Sequence, residues 1–194
     1  MATREAFIAK VRQAQPAARP RPDVPLFSAV EDLRARFTSA LQTMGGTCVE
    51  AGAASEIASL IRERFGAAVS IASATAEVSG TRLLTADTEP SSLQDIDVGV
   101  VRARFGVAET GSVWFSEREY VVNALGYIVQ HLVVLLDPAQ LVDGLQDVYR
   151  RDDFRDARYA ALVTGPSATA DIEGVLIRGA QGVRSLTVVW LAAE

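Results

Sequence analysis

The chain of 194 residues contains only one cysteine and one histidine, Cys48 and His131. A single cysteine forms no disulfide within the chain, and an iron–sulfur cluster takes about four thiolate ligands. A zinc site built from cysteine and histidine likewise needs more than these two side chains. We therefore predict that the chain holds no metal ion or cluster of its own. Any redox chemistry is then carried by a partner protein or a diffusible cofactor.

The sequence also lacks a basic segment and a long apolar run. Its formal net charge is −5, and no block of lysine and arginine supplies the electrostatic footprint of a nucleic-acid-binding protein. The longest apolar run, Tyr127 to Leu136, is interrupted by Gln130 and His131 and reaches about half the length that spans a bilayer. The residues after Met1 are amphipathic, unlike a secretory signal. These features predict a cytoplasmic protein with no membrane span and no nucleic-acid partner.

Three common catalytic signatures are missing as well. The sequence has no G-x-S-x-G elbow, no Walker phosphate loop and no G-x-G-x-x-G fingerprint. Their absence argues against a triad hydrolase, a nucleotide kinase and a Rossmann dehydrogenase. With 49% hydrophobic and 22% charged residues, the composition is that of an ordinary globular protein.

The first 25 residues differ from the rest of the chain. Phe7, Ile8 and Val11 share one stripe of a helix, and the segment Pro16 to Pro25 then carries four prolines that end it. We interpret residues 1–25 as an N-terminal helix with a proline-rich linker. Residues 26–194 are too few for two ordinary domains, so we interpret them as one α/β domain.

Segments with helical spacing alternate with short apolar segments along this domain. The alternation predicts a mostly parallel sheet with helices on both faces, and a βαβ unit near the C-terminal end. The predicted helices are Val30 to Met44, Ala53 to Phe65, Pro138 to Val148 and Thr169 to Arg178. The predicted strands are Thr47 to Val49, Ala67 to Ala72, Leu83–Leu84, Val98 to Val101, Ser112 to Phe115, Ile128 to Leu136, Tyr159 to Thr164 and Leu186 to Leu191.

The segment Gly165 to Glu173 (GPSATADIE) joins an apolar strand to a predicted helix. In this position Thr169 is a natural N-cap, and Asp171 and Glu173 suit the positive end of the helix dipole. Alternatively, Ser167, Thr169 and free backbone N–H groups hold an anion such as a carboxylate or a phosphate. The joint follows the carboxyl end of a strand, where open α/β sheets place their sites.

A second polar segment, Ala108 to Ser112, contains the sequence AETG and precedes an apolar strand. A carboxylate such as that of Glu109 acts as a general base or a nucleophile when a substrate lies within hydrogen-bond reach. The alternative is an ordinary hairpin turn with an exposed glutamate. The spacing alone does not decide between the two.

His131 lies within an apolar predicted strand. A lone histidine in such a setting is more often a packed, hydrogen-bonded residue than a catalyst. We therefore leave His131 out of the candidate site.

The AETG and GPSATADIE segments together resemble the lactate-utilisation protein C family, also called the LUD domain, in which an AETG turn is followed by a GPS-x-TADIE segment. The similarity extends more loosely over Phe27 to Phe37 (FSAVEDLRARF) and Gln130 to Val134. It implies an α/β fold like that of the ribose-5-phosphate isomerase and CoA-transferase group. It also implies a role beside two iron–sulfur subunits in the oxidation of L-lactate to pyruvate, which agrees with the shortage of thiols in this chain.

The resemblance turns the two polar segments into one candidate site for a small carboxylate or phosphate. Glu109 and Glu173 are the candidate catalytic residues. No metal ligand is assigned, and iron–sulfur clusters are expected on partner subunits instead of on this chain. The candidate ligand-binding residues are Thr110, Gly111, Gly165, Pro166, Ser167, Thr169 and Asp171.

Two positions depart from the family's pattern. Members of the family usually continue into a G-V-H-G-P segment, where this chain has Gly179 to Val183 (GAQGV), so that Gln181 stands in place of the histidine. The chain also has Leu125-Gly126-Tyr127 where the family has Leu-Pro-Pro. These departures suggest a divergent branch that acts on another substrate.

Three functions compete on this evidence. The first is a component without a cluster in a lactate-oxidising system. The second is a free-standing transferase or isomerase that acts on a CoA ester or a sugar phosphate, with Glu109 as its nucleophile or base. The third is a structural domain whose N-terminal arm docks onto partners. The three differ in whether the isolated chain is an enzyme, which the sequence leaves open.

Overall fold

The computed structural model describes residues 3–17, 19–20, 22–27, 32–67, 69–171, 174–179 and 181–192. Its helices are α1 (Arg4–Gln13), α2 (Leu33–Thr43), α3 (Ala54–Phe65), α4 (Glu117–Tyr120), α5 (Leu125–Ile128), α6 (Leu145–Arg150) and α7 (Asp153–Asp156). Its strands are β1 (Thr47–Glu50), β2 (Ile71–Ser73), β3 (Val98–Arg102), β4 (Phe105–Val107), β5 (Ser112–Ser116), β6 (His131–Leu136), β7 (Leu141–Val142), β8 (Ala160–Val163), β9 (Ala168–Thr169), β10 (Ile177–Arg178) and β11 (Ser185–Trp190). In these ranges no helix is long and apolar enough to cross a membrane.

Five parallel strands form the central sheet in the order β1-β11-β6-β3-β2. The middle strand is β6, in which Val133 pairs with Thr187 of β11 and with Val100 of β3. Parallel strands buried on both faces need apolar residues at nearly every position, and β3, β6 and β11 have them. The prediction of an α/β fold with a mostly parallel sheet is confirmed.

Helices cover both faces of the central sheet. On one face α3 is buried through Ile57 and Ile61. On the opposite face α2 is buried through Phe37 and Leu41. In both helices the two buried residues are four positions apart and therefore lie on one side of the helix. Truncating one of these apolar side chains to alanine costs about 2–5 kcal/mol, so the two helices contribute strongly to the stability of the fold.

A second sheet, with the strand order β7-β4-β5-β8, packs on the α2 side of the central sheet. β4 and β5 form an antiparallel hairpin, β8 is antiparallel to β5, and β7 is parallel to β4. Val113 and Phe115 of β5 enter the core that contains α2. The strand that precedes Gly165 is β8, and it therefore belongs to this second sheet and not to the central one.

Most of the predicted elements are present. The patterns located α1, α3, β1, β3, β5, β8 and β11 to within a few residues. The helix predicted from Val30 is described from Leu33, and Val30 itself lies outside the described residues. Its N-cap is Asp32, whose side chain accepts the N–H of Ala35 at 2.9 Å.

The helix predicted from Pro138 to Val148 is wrong. Pro138 opens a short 3-10 turn that ends at Gln140, β7 follows directly, and α6 begins only at Leu145. The two residues of β7 pair with β4 in the second sheet. This pairing between distant parts of the chain outweighs the local helical preference.

Three strand predictions also need correction. The strand predicted from Ile128 begins at His131, because the residues before it form α5. The strand predicted from Ala67 to Ala72 is shifted to β2, which begins at Ile71. Leu83–Leu84 forms no strand, and Leu83 is 83% exposed.

The helix predicted from Thr169 to Arg178, and with it the C-terminal βαβ unit, is wrong. β9 and β10 form an antiparallel two-stranded ribbon instead. Gly174, in the middle of the predicted helix, has a φ of +69°, which a right-handed helix does not contain. Residues 172 and 173, between the two strands, lie outside the described residues.

Candidate functional site

The strands of the central sheet run in one direction, so the sheet has an amino edge where the strands begin and a carboxyl edge where they end. Gln130 and Arg184, which directly precede β6 and β11, mark the amino edge. Glu50 and Arg102, the last residues of β1 and β3, mark the carboxyl edge. Polar side chains gather at both edges, in different surroundings.

The AETG segment is the turn of the β4–β5 hairpin and packs on α2. Gly111 has a φ of +65°, and its N–H donates to the carbonyl of Val107 at 2.9 Å. A Cβ atom at Gly111 would lie 2.7 Å from Leu41 Cα and 2.9 Å from the carbonyl carbon of Ala40. Both the backbone conformation and the close approach to α2 therefore require glycine at this position.

Glu109 is exposed and its carboxylate lies at the start of α6. Its Oε2 accepts the N–H of Leu145, the first residue of α6, at 2.9 Å. The Glu109 N–H donates to the carbonyl of Asp143 at 2.9 Å, and the Asp143 carboxylate forms an ion pair with Arg36 of α2. The carboxylate thus stabilises the N-terminus of a short helix, as an N-cap residue does.

A chain of three hydroxyl groups joins the AETG turn to the GPSATADIE segment. Thr110 Oγ1 lies 2.7 Å from Ser112 Oγ, and Ser112 Oγ contacts Oγ1 of Thr164, the residue before Gly165. Ser112 is buried, so its hydroxyl needs these partners. The structure therefore brings together the two segments that the sequence singled out.

The GPS part of the second segment also packs on α2. Gly165 has a φ of +64°, and an added Cβ atom would lie 2.5 Å from the carbonyl oxygen of Met44. Pro166 is buried. The Ser167 N–H donates to the carbonyl of Val183 at 3.0 Å, and the Ser167 carbonyl accepts the N–H of Gly179 at 2.6 Å. These contacts hold the segment against the residues that lead into β11.

Thr169 is not the N-cap of a helix, because it lies in β9. Its hydroxyl donates to Asp171 Oδ2 at 3.2 Å and accepts the N–H of Asp171 at 3.4 Å. Asp171 is exposed. Glu173, the second candidate catalytic residue, lies outside the described residues.

The GPS segment lies at the amino edge of the central sheet. It follows the carboxyl end of β8, as expected, but β8 belongs to the second sheet, and Ser167 pairs with Val183 just before β11. An open groove of about 560 Å³ runs beside it, lined by Tyr127, Gln130, Gln181 and Arg184 among others. The joint therefore follows the carboxyl end of its own strand but lies away from the carboxyl edge of the central sheet.

Glu109 does not line this groove. It lies in a smaller cleft of about 190 Å³, together with Arg36, Asp143 and Asp147. The AETG and GPS segments therefore meet through their hydroxyl groups, while the Glu109 carboxylate and Ser167 lie beside different clefts. The catalytic and binding roles of the candidate residues stay predictions.

Both departures from the family's pattern occur at the amino-edge groove. Gln181 and Tyr127 line it, and the Tyr127 hydroxyl contacts the hydroxyl of Tyr159. Burial, followed by the contact with Tyr127, raises the pKa of Tyr159 to about 12, so this phenol keeps its proton at neutral pH. Tyr127 and Gln181, the two departures from the family's pattern, thus both alter the lining of the same groove.

His131 is packed and hydrogen-bonded, as its position within an apolar strand predicted. Its Nδ1 lies 2.8 Å from Ser185 Oγ, and its ring stacks on Phe65 with centroids 4.6 Å apart. Burial, and then the charge of Arg184, lower the pKa of His131, although the Asp97 carboxylate opposes this. The imidazole is therefore mainly neutral at neutral pH.

Cys48 is half-buried in β1, and burial raises the pKa of its thiol. The thiol is accordingly protonated at neutral pH. Among the described side chains, no group of three or more histidine, cysteine, aspartate and glutamate residues is placed to hold a metal ion.

Sequence reasoning missed a cleft of about 710 Å³ at the carboxyl edge. Its walls are mostly small and apolar, and come from the β1–α3 connection (residues 51–54), from Ala76 and from Leu191. Its charged residues are Arg102, which ends β3, and Glu77. One feature of the sequence could have indicated this cleft: an arginine directly follows the apolar run Val98 to Val101. Such a residue ends a buried strand at the edge where α/β sheets bind ligands.

Comparison with known proteins assigns the fold and the family. The family model described as the LUD domain matches residues 34–191. The crystal structure of a DUF162 family protein from Deinococcus radiodurans is similar, with a TM-score of 0.61 and 16% sequence identity over 81% of this chain and 95% of that chain. At this identity the likeness shows a common fold and nothing finer. No curated protein matches the chain.

Proposed function

Because the chain belongs to the LUD domain family, we propose that it is a cytoplasmic component of a lactate-utilisation system. It acts beside iron–sulfur subunits in the oxidation of L-lactate to pyruvate and holds no cluster itself. The family assignment supports the pathway, and the residues of the chain support this division of labour.

The single cysteine is the observation that carries the proposal. Oxidation of lactate to pyruvate releases two electrons and two protons, and the electrons need an acceptor. An iron–sulfur cluster takes about four thiolates, whereas this chain has one thiol, and burial favours its protonated form. We assign electron transfer to the partner subunits for this reason, and substrate binding and proton transfer to this chain.

Glu109 is the candidate proton acceptor in this scheme. Its Oε2 is occupied by the N–H of Leu145, but a carboxylate has a second oxygen and further lone pairs that can accept a proton. The exposure of Glu109 leaves it open to a substrate or to a partner protein. Glu173 is the second candidate for this role.

The candidate ligand-binding residues then divide into two kinds. Gly111 and Gly165 shape the two loops, since both have positive φ and neither has room for a side chain. Ser167, Thr169 and Asp171 offer hydroxyl or carboxylate groups that can contact a small ligand. The hydroxyl chain from Thr110 to Thr164, together with buried Pro166, supports the idea that both loops act as one unit.

Reconstitution tests the proposal directly. The chain is expressed together with iron–sulfur lactate-utilisation proteins, and reduction of a dye by L-lactate is followed with and without the chain. We expect co-elution with the iron–sulfur proteins, oxidation of lactate only when the chain is present, and no turnover by the isolated chain. Full lactate oxidation without the chain would contradict the proposal. Turnover of a CoA ester or a sugar phosphate by the isolated chain would favour the free-standing enzyme instead.

A further inference from the structure

The carboxyl-edge cleft, defined by residues 51–54, Ala76, Glu77, Arg102 and Leu191, has the size and position of a ligand site. Its volume of about 710 Å³ lies in the range of roughly 300–1,000 Å³ that small-molecule sites occupy. It opens outside the carboxyl ends of the parallel strands, on the side of the sheet that α3 covers. None of the residues that the family motifs single out lines it.

Arg102 is held in place at the wall of this cleft. Its Nε and Nη2 each contact Glu77 Oε1 at 2.5 Å, and its Nη1 donates to the carbonyl of Leu191 at 3.2 Å. A guanidinium group has five N–H donors, and these contacts leave two of them available. The Arg102 side chain is 25% exposed. An arginine fixed by its neighbours and still partly exposed is preorganised to bind a carboxylate.

Glu77 determines which anion suits the cleft. Its Oε2 accepts no hydrogen bond from the described part of the chain, because both contacts with Arg102 use Oε1. The ion pair is neutral as a whole, so it favours a ligand with one negative charge over a phosphate with nearly two. A hydroxyl group beside the ligand's carboxylate can donate to Glu77 Oε2 and so relieve the repulsion between the two carboxylates.

The rest of the lining favours an apolar substituent. Ala53, Ala54, Ala76 and Leu191 present carbon atoms, and a three-carbon acid would leave most of the cleft unfilled. Each methylene group that a longer ligand buries here adds up to about 0.8 kcal/mol, which is about fourfold in affinity.

We propose that this cleft binds 2-hydroxy monocarboxylic acids that carry an apolar side chain. The carboxylate accepts N–H bonds from Arg102, the 2-hydroxyl donates to Glu77, and the side chain packs on the alanine and leucine wall. The choice of hydroxy acids rests on the proposed function, since lactate is the smallest member of this class with a carbon substituent. The arginine, the free carboxylate oxygen and the apolar wall are independent of it.

Calorimetric titration of the full chain tests this proposal with defined probes. These are L-lactate, L-2-hydroxyisocaproate, 4-methylpentanoate (the same acid without its hydroxyl) and inorganic phosphate. We expect L-2-hydroxyisocaproate to bind most tightly, about fivefold or more tighter than 4-methylpentanoate, and phosphate to bind most weakly. Arg102→Gln should weaken binding about tenfold or more, and Glu77→Ala should abolish the preference for the hydroxylated acid.

Two further variants keep the test decisive. Arg82→Gln removes an arginine whose ion pair with Asp95 lies outside the cleft, and should leave the affinity unchanged. If Arg102→Gln does not fold, Ala76→Phe fills the cleft from an exposed position, keeps the ion pair, and should cause the same loss.

Equal affinities for wild type and Arg102→Gln would overturn the proposal, and so would a wild-type chain that binds none of the acids. If such a chain is still required for L-lactate oxidation in the reconstituted system, the carboxyl-edge site fails while the proposed function stands.

Discussion

The AETG and GPS segments, the second of which lies at the amino edge of the central sheet, pack so closely on α2 that Gly111 and Gly165 have no room for a Cβ atom. At the carboxyl edge a cleft of about 710 Å³ stays open between α3 and the ends of the strands. The first region carries the residues by which the family is recognised. The second carries no such motif, and its lining is mainly alanine and glycine with a single ion pair.

The two regions show two different reasons why a position requires a particular type of residue: close packing in one region and open space in the other. In the AETG and GPS segments, positive φ values and backbone contacts require glycine, and a buried hydroxyl requires partners. At the carboxyl edge, small residues leave space, and Arg102 is fixed beside that space. The glycines and hydroxyl groups of the AETG and GPS segments are thus required for folding. The geometry of a binding site is clearest at the carboxyl-edge cleft, which contains no family motif.

Substitution of Gly111 should give the largest effect on stability. Gly111→Ala combines a positive φ with a clash against the backbone of α2, and we expect it to lower the free energy of unfolding by about 3 kcal/mol or more. Gly174→Ala is the matched control, since Gly174 has a φ of +69° but no atom of the described residues lies within 4 Å of an added Cβ. It should cost about 1 kcal/mol. Urea unfolding measures both, and equal losses would show that the close packing on α2 contributes nothing.

Glu109 tests whether a residue of the AETG segment has a role besides folding. Glu109→Ala removes the acceptor for the Leu145 N–H and should cost about 1 kcal/mol, whereas Glu109→Gln keeps an acceptor oxygen and should cost less. Thermal melting measures these losses, and the reconstituted lactate assay measures activity. Loss of activity in a stable Glu109→Gln protein would support the general base, and full activity would leave only the capping role.

The pH dependence of stability should show the half-buried imidazole of His131 at the amino edge. Because burial and Arg184 lower the pKa of His131, the unfolded state takes up a proton first as the pH falls. The contribution of His131 is therefore complete above about pH 6.5 and is lost as the pH falls from there towards the folded-state pKa. Between about pH 7 and pH 5 the melting temperature of wild type should fall more steeply than that of His131→Gln. If the two proteins lose melting temperature equally over this pH range, folding does not lower the pKa of His131.

Thr169 should give the smallest effect. If it capped a helix, Thr169→Ala would cost about 1 kcal/mol. In β9 its hydroxyl contacts only exposed Asp171 among the described residues, so we expect a change within about 0.5 kcal/mol. A decrease of about 1 kcal/mol in the free energy of unfolding would show that the two-stranded ribbon of β9 and β10 is not the stable conformation.

The central sheet was predictable because its strands are buried on both faces, which leaves apolar runs such as Leu132 to Leu136 in the sequence. α2 and α3 were predictable because each buries one face and keeps a helical period. β7, β9 and β10 were missed for a common reason. Each is only two residues long and exists through pairing with a distant or adjacent strand, which leaves no periodicity of its own.

The candidate site was predictable only in part. The family resemblance treated the AETG and GPS segments as one site. In the structure Thr110, Ser112 and Thr164 form a contact between the two segments, while Glu109 and Ser167 lie beside different clefts. The sequence did not reveal the edge of the sheet at which the GPS segment lies, because that depends on β8 joining the second sheet. The carboxyl-edge cleft was missed because alanines and one arginine carry no recognisable pattern.

Amide chemical-shift mapping tests most directly the claim that the carboxyl-edge cleft binds a 2-hydroxy acid with an apolar side chain. The isotope-labelled full chain is titrated with L-2-hydroxyisocaproate. We predict saturable shifts concentrated at the backbone amides of residues 51–54 and at Nε of Arg102, which line the cleft. Shifts at Ser167, Thr169 and Asp171, with none at the carboxyl-edge cleft, would contradict the carboxyl-edge site and place this acid beside the GPS segment.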